Sequence, residues 1–221
     1  MIPPSPRYGS PSDDTRACAP FSTGCYHWFA RWRDDGTWPS VNNHLLMEAR
    51  DRCGREASPS AGAIDTQSVK TTESGGPRGY DAGKKIKGRK REIIVDTEGH
   101  LVTAAIHPGN VQDRDAAAIT LKGLRRQFPW LEKLYADFGY SGVKLRDALV
   151  GQAAPELEIV KRPREAAGFV LLPRRWVVER SFAWFGRNRR LYKDCERHLR
   201  TALACLYIAS INMLLRRCAT Y

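Results

Sequence analysis

Two β-rich runs, residues 92–96 (EIIVD) and 101–107 (LVTAAIH), are separated by a tight TEG turn. A hairpin is the reading such a pair demands. A further β-rich run precedes it at 63–69 (AIDTQSV). Helical and strand-like patterns then alternate: a helix with an aspartate cap over 113–128, a strand over 133–137 (KLYAD), a helix over 141–151, a strand over 156–161 (ELEIVK), a helix carrying Glu179, and a last helix from about 196 to 217. Three strands followed by alternating helix and strand require a mixed sheet covered on both faces. The expectation is an α/β fold of ribonuclease H-like topology, in which the first strand and the KLYAD strand lie side by side.

Ahead of this block the patterning is weaker. Residues 1–22 are rich in Pro, Ser, Asp and Arg and read as an irregular tail. Residues 23–58 hold two short helices, one stopped by DDG and one over NNHLLMEARDRCG, too small to bury much surface alone. The domain expectation is therefore a tail over 1–22, a short helical, partly DNA-binding region over 23–58, and a catalytic domain over 59–221. The six cysteines form no C-x-x-C pair and suit neither a zinc site nor a disulfide framework. No signal peptide is visible, and the apolar run TALACLYIASINMLL is short and interrupted by polar residues. These features read as a cytosolic, reduced protein that does not span a membrane.

Charge narrows the class of partner. The formal net charge is +12, and it is focused. Residues 161–200 carry twelve Lys/Arg against four acids, and residues 78–92 carry seven against two. Two basic regions point to a polyanion. Within the first of them, RRWVVERSFAWFGRNRR (174–190) holds six arginines and one acid, Glu179.

A metal-dependent enzyme acting on nucleic acid needs carboxylates that converge from separate elements, because hard oxygen donors suit magnesium or manganese. Asp65 lies inside the first strand, Asp137 ends an apolar strand, and Glu179 sits on a later helix. Taken singly, each has another explanation: a satisfied edge residue, a turn former, and a helix acid paired to its arginines. Asp96 reads as part of its hairpin turn, and Asp113 and Asp115 as helix caps. At about 100° per residue, Arg175, Glu179, Ala183, Gly186 and Arg190 share one stripe of the helix. Val178, Phe182 and Phe185 form the neighbouring stripe that should face the core. Gly186 within a helix costs about 1 kcal/mol against Ala, which close approach of a DNA backbone or a mere helix irregularity would explain.

The segments AIDTQSVKTT, GRKREIIVDTEGHLVTAAIHPGNVQDRDAA, KLYADFGYSG and GFVLLPRRWVVERSFAWFGRNRRLYKDCE, in this order, resemble bacterial insertion-sequence DDE transposases of the fifth family, the IS-five group. The resemblance covers roughly 55–217 and extends weakly into YHWFARWRDDGTW. It implies that Asp65, Asp137 and Glu179 are the catalytic, metal-holding triad, with two magnesium or manganese ions, and that Asp65 is shared between the two. It implies cleavage at the terminal inverted repeats of double-stranded DNA, followed by attack of a 3′-hydroxyl on target DNA. A homodimer assembled on DNA, working in the bacterial nucleoid, is implied as well. Arg175 matches the arginine that such proteins carry four residues before the third acid. Gly186 stands where they carry a basic residue, so Arg187 or Arg190 takes that role. Lys70, Lys84, Lys85, Lys87, Arg89, Arg175, Arg187, Arg190 and Lys193 are the expected phosphate contacts, with 84–91 read as a basic loop. Such transposases have a longer helical region before the DDGTW-like segment, so a truncated or frameshifted copy, or a misassigned start, is expected here. A nuclease of the same fold and a DNA-binding remnant without catalysis are the competing readings.

Overall fold

The computed structural model describes residues 19–160 and 174–220. The expected tail up to residue 18, Lys161 at the end of the expected ELEIVK strand, and residues 168–173 of the last motif lie outside them. Two compact units divide between Thr37 and Trp38. The first holds α1 (Ala19–Asp34), in which Trp28 and Trp32 bring their rings to 5.8 Å and Arg31 lies 5.3 Å from the Trp28 ring.

Most of α2 (Thr37–Arg52) belongs to the second unit, and it is longer than the sequence pattern indicates. Leu46 and Ala49 are fully buried in the core. Asn42 donates to the carbonyl of Leu101 at 2.7 Å and accepts from the Ser210 hydroxyl at 2.7 Å, which satisfies a buried amide from two sides. Arg50 pairs with the buried Asp96 at 2.6 Å. Asp96 is therefore more than a turn residue. Burial pushes its carboxyl upward, but His100 and Arg50 outweigh that and hold it below the usual aspartate range.

The sheet is built from β1 (Ala61–Lys70), β2 (Gly79–Asp81), β3 (Ile86–Asp96), β4 (Leu101–Pro108), β5 (Lys133–Ala136) and β6 (Glu156–Ile159). Its order is β2-β3-β1-β5-β6, with β4 also pairing β3. The β1–β3 and β3–β4 pairs are antiparallel, and the β1–β5 and β5–β6 pairs are parallel. This mixed sheet flanked by helices is the expected ribonuclease H-like arrangement. Because side chains alternate across a strand, β1 divides its residues between two cores. Ile64 joins Ile94, Leu121, Phe128 and Leu134 on one face, and Ala63 joins Ile93, Val95, Val178, Phe182 and Leu206 on the other.

Several boundaries differ from the sequence reading. The helix expected over 113–128 breaks into α3 (Asp113–Thr120) and α4 (Leu124–Gln127), because Gly123 takes a φ of +73°. Asp113 and Asp115 do not cap it: Gln112 is the N-cap, Asp113 bonds Lys90 at 2.8 Å and Asp115 bonds Lys144 at 2.7 Å. α5 (Val143–Leu149), α6 (Trp176–Gly186) and α7 (Arg189–Tyr192) follow. The last helix, α8 (Leu199–Thr220), is long and apolar enough to cross a membrane by length and composition. Its Leu206, Tyr207 and Leu214 are buried in the two cores, so it serves as a core helix here.

Candidate active site

Parallel pairing of β1 with β5 sets Ala63 opposite Tyr135. Asp65 and Asp137 each lie two residues beyond that pair, so both fall on the same face and at the same end of adjacent strands. That face is the one α6 covers. The two acids feel each other: the charge of Asp137 helps to raise the Asp65 carboxyl.

Asp137 is fixed by its turn. It caps the single 3-10 turn Phe138–Tyr140, accepting from the Gly139 N–H at 2.8 Å. The far end of that turn is tied back to β1, where the buried Tyr140 hydroxyl lies 2.6 Å from the Thr66 hydroxyl. Thr66 is the neighbour of Asp65, so this bond links the segment carrying one acid to the strand carrying the other.

α6 supplies the third acid. Val177, Val178, Phe182 and Phe185 bury its inner face. Ser181 donates to the carbonyl of Gly99 at 3.0 Å, and Arg180 to that of Glu98 at 2.9 Å. Gly99 has a φ of +83°, and a Cβ there would come within 2.8 Å of the Ser181 hydroxyl. The hairpin turn thus needs glycine both for its conformation and for the approach of α6. On the outer side Glu179 is about half exposed. Arg175 sits between the acids, with Nη2 at 3.6 Å from Asp65 Oδ2 and 4.0 Å from Glu179 Oε1. Arg175 is itself buried, and its Nε has no hydrogen-bond partner.

Burial pushes the Asp65 carboxyl up to about 6, and Asp137 adds to the rise. The Thr66 N–H at 2.7 Å and the charges of Arg175 and Lys84 oppose it. Lys84 is anchored near by, donating to the Thr66 carbonyl at 2.6 Å. The rise is thus the cost of burying a carboxylate, which the neighbouring cations reduce without cancelling. Hard carboxylate oxygens at the ends of adjacent strands, one of them costly to keep ionised without a further cation, fit a divalent ion of the magnesium or manganese type. Among the described residues no three His, Cys, Asp or Glu side chains are gathered into one ligand group, and Arg175 Nη2 approaches both Asp65 and Glu179.

The expected phosphate contacts divide into two sets. Lys70, Lys84, Lys85, Lys87, Arg187, Arg190 and Lys193 are exposed. Arg89 is not: residues 86–91 are strand rather than loop, and Arg89 is fully buried. It pairs with Asp194 at 3.0 Å and donates to the carbonyls of Pro77, Glu196 and Arg197. That internal role replaces the DNA contact expected of it. Lys90 and Arg91 are buried too, on Asp113 and on the Leu191 carbonyl. Arg190 leaves the Glu179 stripe, because α6 ends at Gly186 and Arg190 belongs to α7, paired with Glu196 at 2.7 Å. Among the described residues a Cβ on Gly186 would meet nothing within 4 Å, so no packing against them requires glycine there.

Sequence reasoning passed over Glu92. It lies on β3 opposite Thr66, fully buried, with no well-formed hydrogen bond to either carboxylate oxygen among the described residues, although the Thr120 and Tyr140 hydroxyls are near enough to favour its charged form. Burial pushes it up to about 7, and the nearby Asp113 charge adds to the rise. An acid at the start of the apolar run EIIVD was the available signal.

Residues 56–213 match the family described as "Transposase DDE domain". The chain is 32% identical over 131 residues to a Burkholderia cepacia protein described as "Putative transposase for insertion sequence element IS402", covering 55% of this chain and 59% of that one. It thus spans somewhat over half the length of this relative. With the family match extending from before β1 to within α8, the chain belongs to the DDE-domain transposases.

Proposed function

We propose that the chain is an insertion-sequence transposase of the IS-five group, which cleaves DNA at transposon ends and transfers the freed 3′-hydroxyl into target DNA. The observation that carries this reading is the β1–β5 register, which supports Asp65 and Asp137 as a pair, together with the Arg175 guanidinium that links Asp65 to Glu179. Asp65, Asp137 and Glu179 would hold two magnesium or manganese ions. When bound, these supply charge stabilisation to the attacking and leaving oxygens of the phosphodiester.

The chain's own groups do the rest. Tyr140 and Thr66 keep the Asp137 segment on β1. Arg175 offsets carboxylate repulsion and orients Asp65. The exposed Lys70, Lys84, Lys85, Lys87, Arg187, Arg190 and Lys193 hold phosphates of the duplex, which fixes its position without reading sequence. Two transposon ends must be held at once, so two copies of the chain act together on DNA. No Ser or Tyr nucleophile is required, because water and then the DNA 3′-hydroxyl attack phosphorus directly.

Incubating the protein with DNA that carries terminal inverted repeats tests the reading. Nicking at the repeat ends in magnesium, its loss on chelation, and joining of pre-cut 3′-hydroxyl ends to a second duplex are the expected results. Cleavage without joining would identify a nuclease, and binding without cleavage an inactive remnant.

A further inference from the structure

A second basic feature stands apart from the three acids. A cleft of about 340 Å³ opens between the end of α6 and the C-terminal half of α8. Trp184, Arg187, Asn188, Asn212, Arg216 and Arg217 line it, and no carboxylate does. Trp184 and Arg217 of its lining belong to a stack of alternating rings and guanidinium groups. Arg180 lies 4.3 Å from the Trp176 ring and 4.5 Å from the Trp184 ring, and Arg217 lies 4.6 Å from the Trp184 ring. One indole is thus flanked by two cations. Both are held in place from the hairpin turn, where the Glu98 carbonyl accepts from Arg180 at 2.9 Å and from Arg217 at 3.3 Å.

The two remaining arginines are differently placed. Arg187 and Arg216 are exposed, and neither side chain has a hydrogen-bond or ion-pair partner among the described residues. An ordered cation, Arg217, beside two unengaged ones and the amides of Asn188 and Asn212 makes a surface built for an anion. Burial and the charge of Arg217 hold Arg180 below the usual arginine range, the mark of like charges kept close together.

We propose that this cleft binds the phosphate backbone of duplex DNA as a second contact, separate from the carboxylate site. The proposal rests on the reading that the chain acts on DNA. Glu179 and Arg187 are eight residues apart, which at 1.5 Å per residue is about 12 Å along the helix. At 3.4 Å per nucleotide of a strand, that is roughly three to four nucleotides from the third acid. A duplex lying along α6 would therefore meet Arg187 and Arg216 with DNA flanking the cleaved bond. Guanidinium groups and amides suit phosphate oxygens, and a contact to the backbone alone anchors the duplex without selecting sequence.

The test is the salt dependence of DNA affinity in the full chain, with an unrelated duplex and a repeat-bearing duplex as probes. Each phosphate contact contributes about 0.9 to the slope of log K against log salt. Combining Arg187→Gln with Arg216→Gln should make the slope shallower by about two on both duplexes. Arg216→Lys, with Arg187 intact, should restore most of it. An unchanged slope in the double glutamine variant, with the wild-type melting temperature, would overturn the proposal. So would a loss confined to the repeat-bearing duplex, since that would mean sequence readout. Nicking of the repeat-bearing duplex by the wild type and its loss in Asp65→Asn test the proposed function, whereas the slope tests the cleft, so either can fail without the other.

Discussion

The Arg175 guanidinium stands 3.6 Å from the Asp65 carboxylate and 4.0 Å from that of Glu179. One buried cation therefore reaches both an acid on β1 and an acid on α6, which are 114 residues apart in the chain. It lowers the cost of keeping Asp65 ionised against burial and against Asp137. Replacing Arg175 by Gln should raise the Asp65 carboxyl above its value of about 6. Carbon-detected NMR titration of the carboxyl groups, without divalent ions, measures this directly. An Asp65 titration that stays where it was would show that Arg175 does not act on it.

Glu92 gives a pH dependence whose sign is fixed by its burial. Its folded-state value of about 7 lies above the ordinary 4.5. Between those values the folded protein holds a proton that the unfolded chain has released, so stability falls as pH rises from about 4.5 to about 7. The shift corresponds to an effect on the order of 3 kcal/mol at most. Asp65 adds in the same direction between about 4 and 6. Glu92→Gln keeps the shape and removes the titration. Urea unfolding across this pH range should show the variant gaining on the wild type toward pH 7 and the difference levelling off above it. A pH-independent difference would place Glu92 in a solvated setting.

Tyr140 and Thr66 offer a probe of the link between the acidic segments. Tyr140→Phe removes one side of a 2.6 Å hydrogen bond inside the core and leaves the ring packing intact. The loss should be about 1–2 kcal/mol of unfolding free energy. Strand cleavage should fall further than DNA affinity does, since the Asp137 turn is freed from β1. Equal stability and equal cleavage in the variant would show that the hydroxyl pair holds nothing in place.

The Arg50–Asp96 pair anchors α2 to the hairpin from which α6 is also held. Removing one member of a buried pair leaves the other uncompensated, so Asp96→Ala should cost about 3–5 kcal/mol by chemical denaturation. A cost below about 1 kcal/mol would be that of an exposed pair.

Much of the fold was legible in the sequence, because its strongest patterns are local. The TEG hairpin, the alternation after it and the apolar KLYAD strand all depend on residues close together in the chain. The β1–β5 adjacency followed from topology, and with it the shared face of Asp65 and Asp137. The basic run GRKR was misread for a definite physical reason. Its charges are internal, and the groups that accept them, Asp194 and the carbonyls after it on one face and Asp113 on the other, come from distant segments. Net charge cannot distinguish a lysine facing DNA from one inside a sheet. Glu92 and the Arg50–Asp96 pair were hidden likewise, since burial is a property of the assembled sheet. Helical periodicity also ran too far: Arg190 shares a stripe with Glu179 only if α6 continues, and it ends at Gly186.

The central claim is that Asp65, Asp137 and Glu179 act as one unit in cutting DNA. Its most direct test is magnesium-dependent nicking of terminal-repeat DNA by Asp65→Asn, Asp137→Asn and Glu179→Gln, each compared with the wild type in the same preparation and with DNA affinity measured alongside. The account predicts that all three variants bind the DNA and none cuts it. A variant at any of the three positions that still cuts at the wild-type rate would contradict it.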